Sequence, residues 1–292
     1  MATARMRVLV TGATGKQGGA TARELLARGH LVRALCRNAA SPRAEALAEL
    51  GAERIEGDLQ SPALEQAMQG VDAVFALCTP FEGIAEEVHN GFALVDAARR
   101  AGVPHLVYSS AANADQDTGI PSFESKRRIE EHLRASGVPY TIVAPAYFME
   151  NLLEDFSLAQ LGSGVFARFL PVERSLQYIA VGDIARFVVK AFEHRTEFLG
   201  QRIDLAGDQL NGEQGAEMLS RVLGRPLRPV ALSLDGFPVQ GELAASIALM
   251  LRWLDTTGFS VDIGRLHREH PDVGWRSLEQ WARAQDWSAR GP

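Results

Sequence analysis

The sequence predicts an α/β fold: a doubly wound, mostly parallel sheet followed by a smaller α+β part. Three observations predict it. Short apolar runs alternate with helical stretches of about ten or more residues through the first half. Glycines stand where helices should stop, at Gly29, Gly51, Gly70, Gly102 and Gly137. The chain has 292 residues, more than one domain of about 100–200 residues normally needs.

The elements follow in order. Val8–Thr11 reads as a short apolar strand, and Gly18–Arg28 as a helix ended by Gly29. Leu31–Cys36 is a second strand, Ala44–Leu50 a helix, and Arg54–Gly57 a third strand. The helix Pro62–Gln69 leads to a continuous apolar strand, Ala73–Leu77. A long amphipathic helix, Glu86–Ala101, precedes the strand His105–Ser109, and the helix Ser125–Ser136 precedes Tyr140–Val143. Strands alternating with helices of this length imply a parallel sheet covered on both faces. After Pro145 the rhythm breaks, and residues 151–175 show no clear period. Gln177–Val181 and Arg202–Ala206 then read as strands around the helix Asp183–Phe192. Helices are expected at Gly212–Leu223, Phe237–Trp253 and Arg276–Arg283, with Arg228–Leu234 as a strand. The expected domains are 1–150, with a return segment near 177–206, and a smaller cap over 151–292.

Composition narrows the class. Hydrophobic residues make up 46% and charged residues 23%, which excludes a mainly disordered chain. Cys36 and Cys78 are too few for a disulfide framework or a cysteine-rich zinc site. A net charge of −6 argues against a large nucleic-acid footprint. The longest apolar run, Leu243–Leu251, is far short of the roughly 20 residues that span a membrane. The N-terminus runs directly into Arg7-Val8-Leu9-Val10 with no signal-peptide pattern, so a cytoplasmic location is expected.

The most informative segment is Thr11-Gly12-Ala13-Thr14-Gly15-Lys16-Gln17-Gly18. Gly12, Gly15 and Gly18 stand between a strand and a helix at the head of the alternating series, a variant of the dinucleotide-binding fingerprint. Glycines there permit a tight turn, let backbone N–H groups approach a pyrophosphate, and aim a helix N-terminus at its charge. Thr14, Lys16 and Gln17 belong to the same loop. Arg37 ends the second strand, where NAD-preferring folds carry an acid for the ribose 2′-hydroxyl; an arginine suits a 2′-phosphate. NADP(H) is therefore expected ahead of NAD(H), unless Arg37 is a solvated surface residue. Asp58 and Leu59 follow the third strand and either meet the adenine or start the next helix. Cys78, Thr79 and Pro80 end the fourth strand, at the sheet edge where ligands collect.

These pieces resemble the NmrA-like family, atypical members of the short-chain dehydrogenase/reductases. The resemblance is carried by the glycine loop, Arg37, Gly57-Asp58, Val107-Tyr108-Ser109-Ser110, and Phe123-Glu124-Ser125-Lys126. It continues through Gly137–Thr141, Pro145–Asn151, Val181–Ala185 and Ser277–Trp281, across nearly the whole chain. It implies an NAD(P)-binding Rossmann domain with a smaller C-terminal domain. It also implies one of two activities: reduction of quinones or related substrates, or redox-sensing regulation through a protein partner with little catalysis.

Ordinary short-chain dehydrogenases place Tyr-x-x-x-Lys on one helix face, so that the lysine lowers the tyrosine pKa. Here Lys126 is present, but Ser122 stands four residues before it. The resemblance implies that Lys126 holds the nicotinamide ribose and is the candidate catalytic residue; proton transfer by it stays open. Ser109 and Ser110 either hold a substrate oxygen or cap the strand end. Ala144-Pro145 replaces the family's usual Arg-Pro. Tyr147 and Phe148 either stack beside the nicotinamide or are core aromatics. His267 and His270 lack a third ligand, so no metal site is expected. The favoured reading is an NADPH-dependent reductase of a small apolar carbonyl, enone or quinone. The rival is a regulator that binds NADP(H) without turnover. A homodimer is compatible with both. Lys126→Ala is expected to cost turnover more than stability.

Overall fold

A computed structural model describes residues 4–233 and 241–287. In chain order the elements are β1 (Arg7–Val10), α1 (Lys16–Ala27), β2 (Leu31–Cys36), α2 (Pro42–Glu49), β3 (Glu53–Glu56), α3 (Pro62–Met68), β4 (Ala73–Leu77), α4 (Ile84–Arg100), β5 (Leu106–Ser109), α5 (Pro121–Ser136) and β6 (Tyr140–Pro145). Then come β7 (Tyr147–Phe148), α6 (Asp155–Gly162), β8 (Val165–Arg168), β9 (Leu176–Ile179), α7 (Val181–Glu193), α8 (Arg195–Phe198) and β10 (Arg202–Leu205). The chain closes with β11 (Asp208–Leu210), α9 (Gly212–Leu223), β12 (Arg228–Ala231), α10 (Gly241–Thr256), α11 (Ile263–Glu269) and α12 (Leu278–Arg283).

The chain divides into two compact units: one runs to Ala144 and adds Ile184–Asp204, the other combines Pro145–Asp183 with the chain from Leu205. Among the described residues the main sheet has the order β10-β6-β5-β4-β1-β2-β3. The pairs from β3 through to β6 are parallel, with Val8 beside both Val32 and Ala73. The order reverses between β1 and β4, which is the switch point of a doubly wound sheet and opens a crevice at its carboxyl edge. The expected α/β class is the one observed. Leu9, Val74, Ala76 and Leu106 of the sheet pack with Leu94 and Val95 of α4 and Ile129 and Leu133 of α5. Burying each leucine, valine or isoleucine of this set contributes roughly 1.5–3 kcal/mol before entropy is counted. Gly91 lets α4 and α5 approach closely, because a β-carbon there would collide with Ile129.

The second unit contains a sheet of order β11-β9-β7 and a β12-β8 pair. Its core gathers Phe166, Leu176, Tyr178, Leu219, Leu254 and Trp281. Three of the motif segments prove to be fasteners of this unit. Glu150 accepts the Val181 amide and the Trp281 indole N–H, the latter at 3.0 Å. Asp183, fully buried, accepts the Arg276 amide at 2.7 Å and its Nε at 2.8 Å. Burial pushes the Glu150 carboxyl above its ordinary range.

Several elements differ from expectation at their ends or in kind. Residues 151–175 hold α6 and β8; α6 buries Leu161 alone, so it carries no apolar stripe to read. The strand expected at Arg228–Leu234 ends at Ala231, and the helix expected from Phe237 is described from Gly241; residues 234–240 lie outside the described residues. No helix among the described residues is long and apolar enough to cross a membrane. No group of three His, Cys, Asp or Glu among them could hold a metal. His267 instead stacks on Trp275, ring centroids 5.4 Å apart.

Candidate functional site at the sheet edge

The loop after β1 turns at Gly12, whose φ of 60° is left-handed and suits glycine. The Gly15 amide donates to the Gly12 carbonyl at 2.9 Å. A β-carbon on Gly18 would fall onto that same carbonyl, so the helix can cross the loop only because Gly18 has no side chain. α1 begins after Gly15 without a side-chain cap and without an acid in its first turn. Its N-terminal end therefore faces the loop with partial positive charge that no acid of the helix offsets. Hydrogen bonds that include two side-chain ones fix the loop to the sheet. The Leu77 amide donates to Thr11 Oγ1 at 2.8 Å, and Ser109 Oγ donates to Gln17 Oε1 at 2.8 Å. Thr14 is half-buried and Lys16 exposed beside them.

Arg37, after β2, is exposed and donates to Glu82 at 2.6 Å. Asp58, after β3, is also exposed; its Oδ1 accepts the Gln60 amide at 2.9 Å, which shapes the turn before α3, whose N-cap is Ser61. Leu59 packs half-buried against the main core. After β4, Cys78 is buried, and burial pushes its thiol up to about 12, so it is inert as a nucleophile. Exposed Thr79 leads into a 3-10 turn, Pro80–Glu82.

Lys126 lies on the second turn of α5 with its side chain only 10% exposed. Its Nζ donates to the Cys78 carbonyl at 2.6 Å and lies 2.7 Å from Glu87 Oε1. The second contact is close but poorly aligned for a hydrogen bond, and is read as an ion pair. Glu87, on α4, is fully buried, and its Oε2 accepts Ser125 Oγ at 2.5 Å. The ammonium also lies 5.8 Å from the ring centre of Tyr108, a fully buried phenol pushed well above its ordinary pKa by burial. Ser110 donates to Glu130, which Arg134 and Arg202 flank, so both candidate serines are spent on internal bonds.

The first unit thus gathers the glycine loop, Arg37, Asp58, Leu59, Cys78–Pro80 and Lys126 at or near the carboxyl ends of its strands. Tyr147 and Phe148 belong to the second unit. There Tyr147 meets Tyr178 edge-on at 5.8 Å, and burial pushes its phenol up to about 12. Sequence reasoning missed Glu82, Glu87 and Glu130. Glu87 was detectable in principle: it shares the apolar face of α4 with Val88, Gly91 and Val95, where an acid needs a partner. Glu82 carried no such signal.

A nicotinamide dinucleotide fits these residues, since the loop offers a cradle that a β-carbon would fill and a helix terminus free of competing acid. The chain is similar to known proteins over most of its length. The chain is 34% identical over 231 residues to the NAD(P)H azoreductase of Xenophilus azovorans, covering 78% of each. It is 34% identical over 250 residues to the (4-alkanoyl-5-oxo-2,5-dihydrofuran-3-yl)methyl phosphate reductase of Streptomyces griseus, covering 84% of this chain and 81% of that one. Among solved structures, NmrA in complex with NADP superposes with a TM-score of 0.80 at 22% identity, over 97% of this chain and 99% of that one. The model of the NmrA-like family matches residues 4–282, and the chain belongs to that family.

Proposed function

We propose that this chain is an NAD(P)H-dependent oxidoreductase that prefers NADP(H) and reduces a small apolar acceptor such as a quinone, enone or azo compound. The observation that carries the reading is Lys126, a buried ammonium fixed from two sides next to the end of β4. The 34% identity to an NAD(P)H azoreductase over most of both chains supports it.

The amides of the glycine loop and of the α1 terminus bind the pyrophosphate, and Arg37 binds the 2′-phosphate. Asp58 and Leu59 border the adenine. An ammonium has three donors. Cys78 O takes one and Glu87 attracts another, which leaves one for a ribose hydroxyl. When bound, the reduced nicotinamide supplies the hydride. The chain supplies orientation, which is where most of the protein's contribution to such chemistry lies. Lys126 is a catalytic residue on this reading through its contact with the ribose.

The test is loss of reduced-nicotinamide absorbance with a panel of quinones, enones and azo dyes, with NADPH, NADP⁺ and NADH binding titrated on the same sample. Acceptor-dependent oxidation is expected. Tight NADP(H) binding with no oxidation across the panel would overturn the reductase reading and favour a redox-sensing regulator.

A further inference from the structure

The arginine assigned to the 2′-phosphate already has an anion. Arg37 Nη1 donates to Glu82 Oε1 at 2.6 Å, across from the end of β2 to the turn that follows β4. The two side chains are 79% and 60% exposed, so the pair is solvated and screened. Exposed pairs contribute little, so this one is readily displaced. A phosphate carries about −1.5 to −2 charge and three acceptor oxygens, and it outcompetes a single carboxylate for a guanidinium. Displacement does not remove Glu82, however. Pro80 starts its turn, the Gly83 amide donates to the Pro80 carbonyl at 3.1 Å, and α4 begins directly afterwards. The displaced carboxylate therefore stays within side-chain reach of the phosphate, where like charges repel. A ribose 2′-hydroxyl brings no charge, needs no displacement, and can donate to a carboxylate.

We infer that Glu82 is a specificity-determining residue. It holds Arg37 until a 2′-phosphate arrives, penalises that phosphate, and spares the 2′-hydroxyl. The pair narrows the preference for NADP(H) that Arg37 alone would give, so that both cofactors remain usable. The inference rests on the assignment of the 2′-phosphate to Arg37.

Both residues are exposed, so Glu82→Gln and Arg37→Ala are expected to fold. Dissociation constants for NADPH and NADH, measured by fluorescence titration without any acceptor, give the readout. Glu82→Gln is expected to tighten NADPH by roughly three- to fivefold and to change NADH by less than about twofold. The gain should shrink as salt is raised. Arg37→Ala is expected to weaken NADPH by about tenfold or more and to leave NADH nearly unchanged. If Arg37→Ala collapses the preference while Glu82→Gln leaves it unchanged or weakens NADPH, the role of Glu82 is overturned and the phosphate assignment stands. If Arg37→Ala does not move the preference, the assignment itself fails and the role of Glu82 falls with it.

Discussion

Removing the Lys126 side chain strands the Glu87 carboxylate, which is fully buried and whose other oxygen is already held by Ser125. Breaking a buried ion pair from one side costs about 3–5 kcal/mol, because the remaining charge keeps its desolvation penalty and loses its partner. Lys126→Ala is therefore expected to lower stability by about 3 kcal/mol as well as turnover. The sequence alone suggested a selective loss of turnover, because nothing in it paired Lys126 with a residue 39 positions earlier on another helix. The two effects separate in a double variant. Lys126→Met with Glu87→Gln removes both charges, keeps the chain volumes similar, and should recover most of the denaturant midpoint. It should not recover acceptor-dependent NADPH oxidation. Full recovery of oxidation would show that Lys126 acts only as the counter-ion of Glu87.

At the scale of elements, the approach of α1 to the β1 loop depends on one missing β-carbon. Alanine at position 18 would press on the Gly12 carbonyl, which is backbone and also accepts the Gly15 amide. Gly18→Ala should lift α1 off the loop, lose NADPH binding by at least about tenfold, and cost about 1–3 kcal/mol of stability. Gly19→Ala is a fair control, since its β-carbon would stand 3.1 Å from the Ala13 carbonyl and should be accommodated with a small shift. Equal binding by both variants would remove the close-packing account. This loop was legible because its constraint is local: a strand, three glycines and the start of a helix within twelve residues, 7–18. The sheet of the first unit was legible for the same reason, as each strand and helix carries its own period. Pairings across distant elements were not. Gln17 with Ser109, Lys126 with Glu87 and Arg37 with Glu82 join residues 92, 39 and 45 positions apart, and no single-element pattern encodes them. The Pro145–Asn151, Val181–Ala185 and Ser277–Trp281 segments were visible as motifs, but their meaning as mutual fasteners needed the fold.

The stability of the whole molecule should depend on pH through a histidine far from the candidate site. His105 enters β5 and is 1% exposed. Thr141 Oγ1 donates its hydrogen to the Phe198 carbonyl at 2.8 Å, so the 2.9 Å contact from His105 Nε2 must be a donation by the ring. Nδ1 is then the bare nitrogen, and it is buried without a hydrogen-bond partner among the described residues. Protonating it would place a cation in a buried site, and Arg195 adds repulsion. Burial first, and Arg195 second, hold the His105 pKa down at about 4, against 6.5 for an ordinary histidine. Between these values the unfolded chain binds a proton that the folded chain refuses. Stability is thus full above pH 6.5, falls as the pH drops towards 4, and flattens below, with a span on the order of 3 kcal/mol. His267 of the second unit is shifted in the same direction but is only half-buried. The acid loss should therefore fall mainly on the first unit. With two compact units, one unfolding midpoint can hide this. Hydrogen exchange resolved by strand is the suitable probe: β4, β5 and β6 should lose protection as the pH falls from 6.5 to 4, once intrinsic exchange rates are corrected. His105→Gln keeps a donor for Thr141 and cannot titrate. It should flatten that dependence, and an unchanged slope in the variant would place the acid sensitivity in the carboxylates instead.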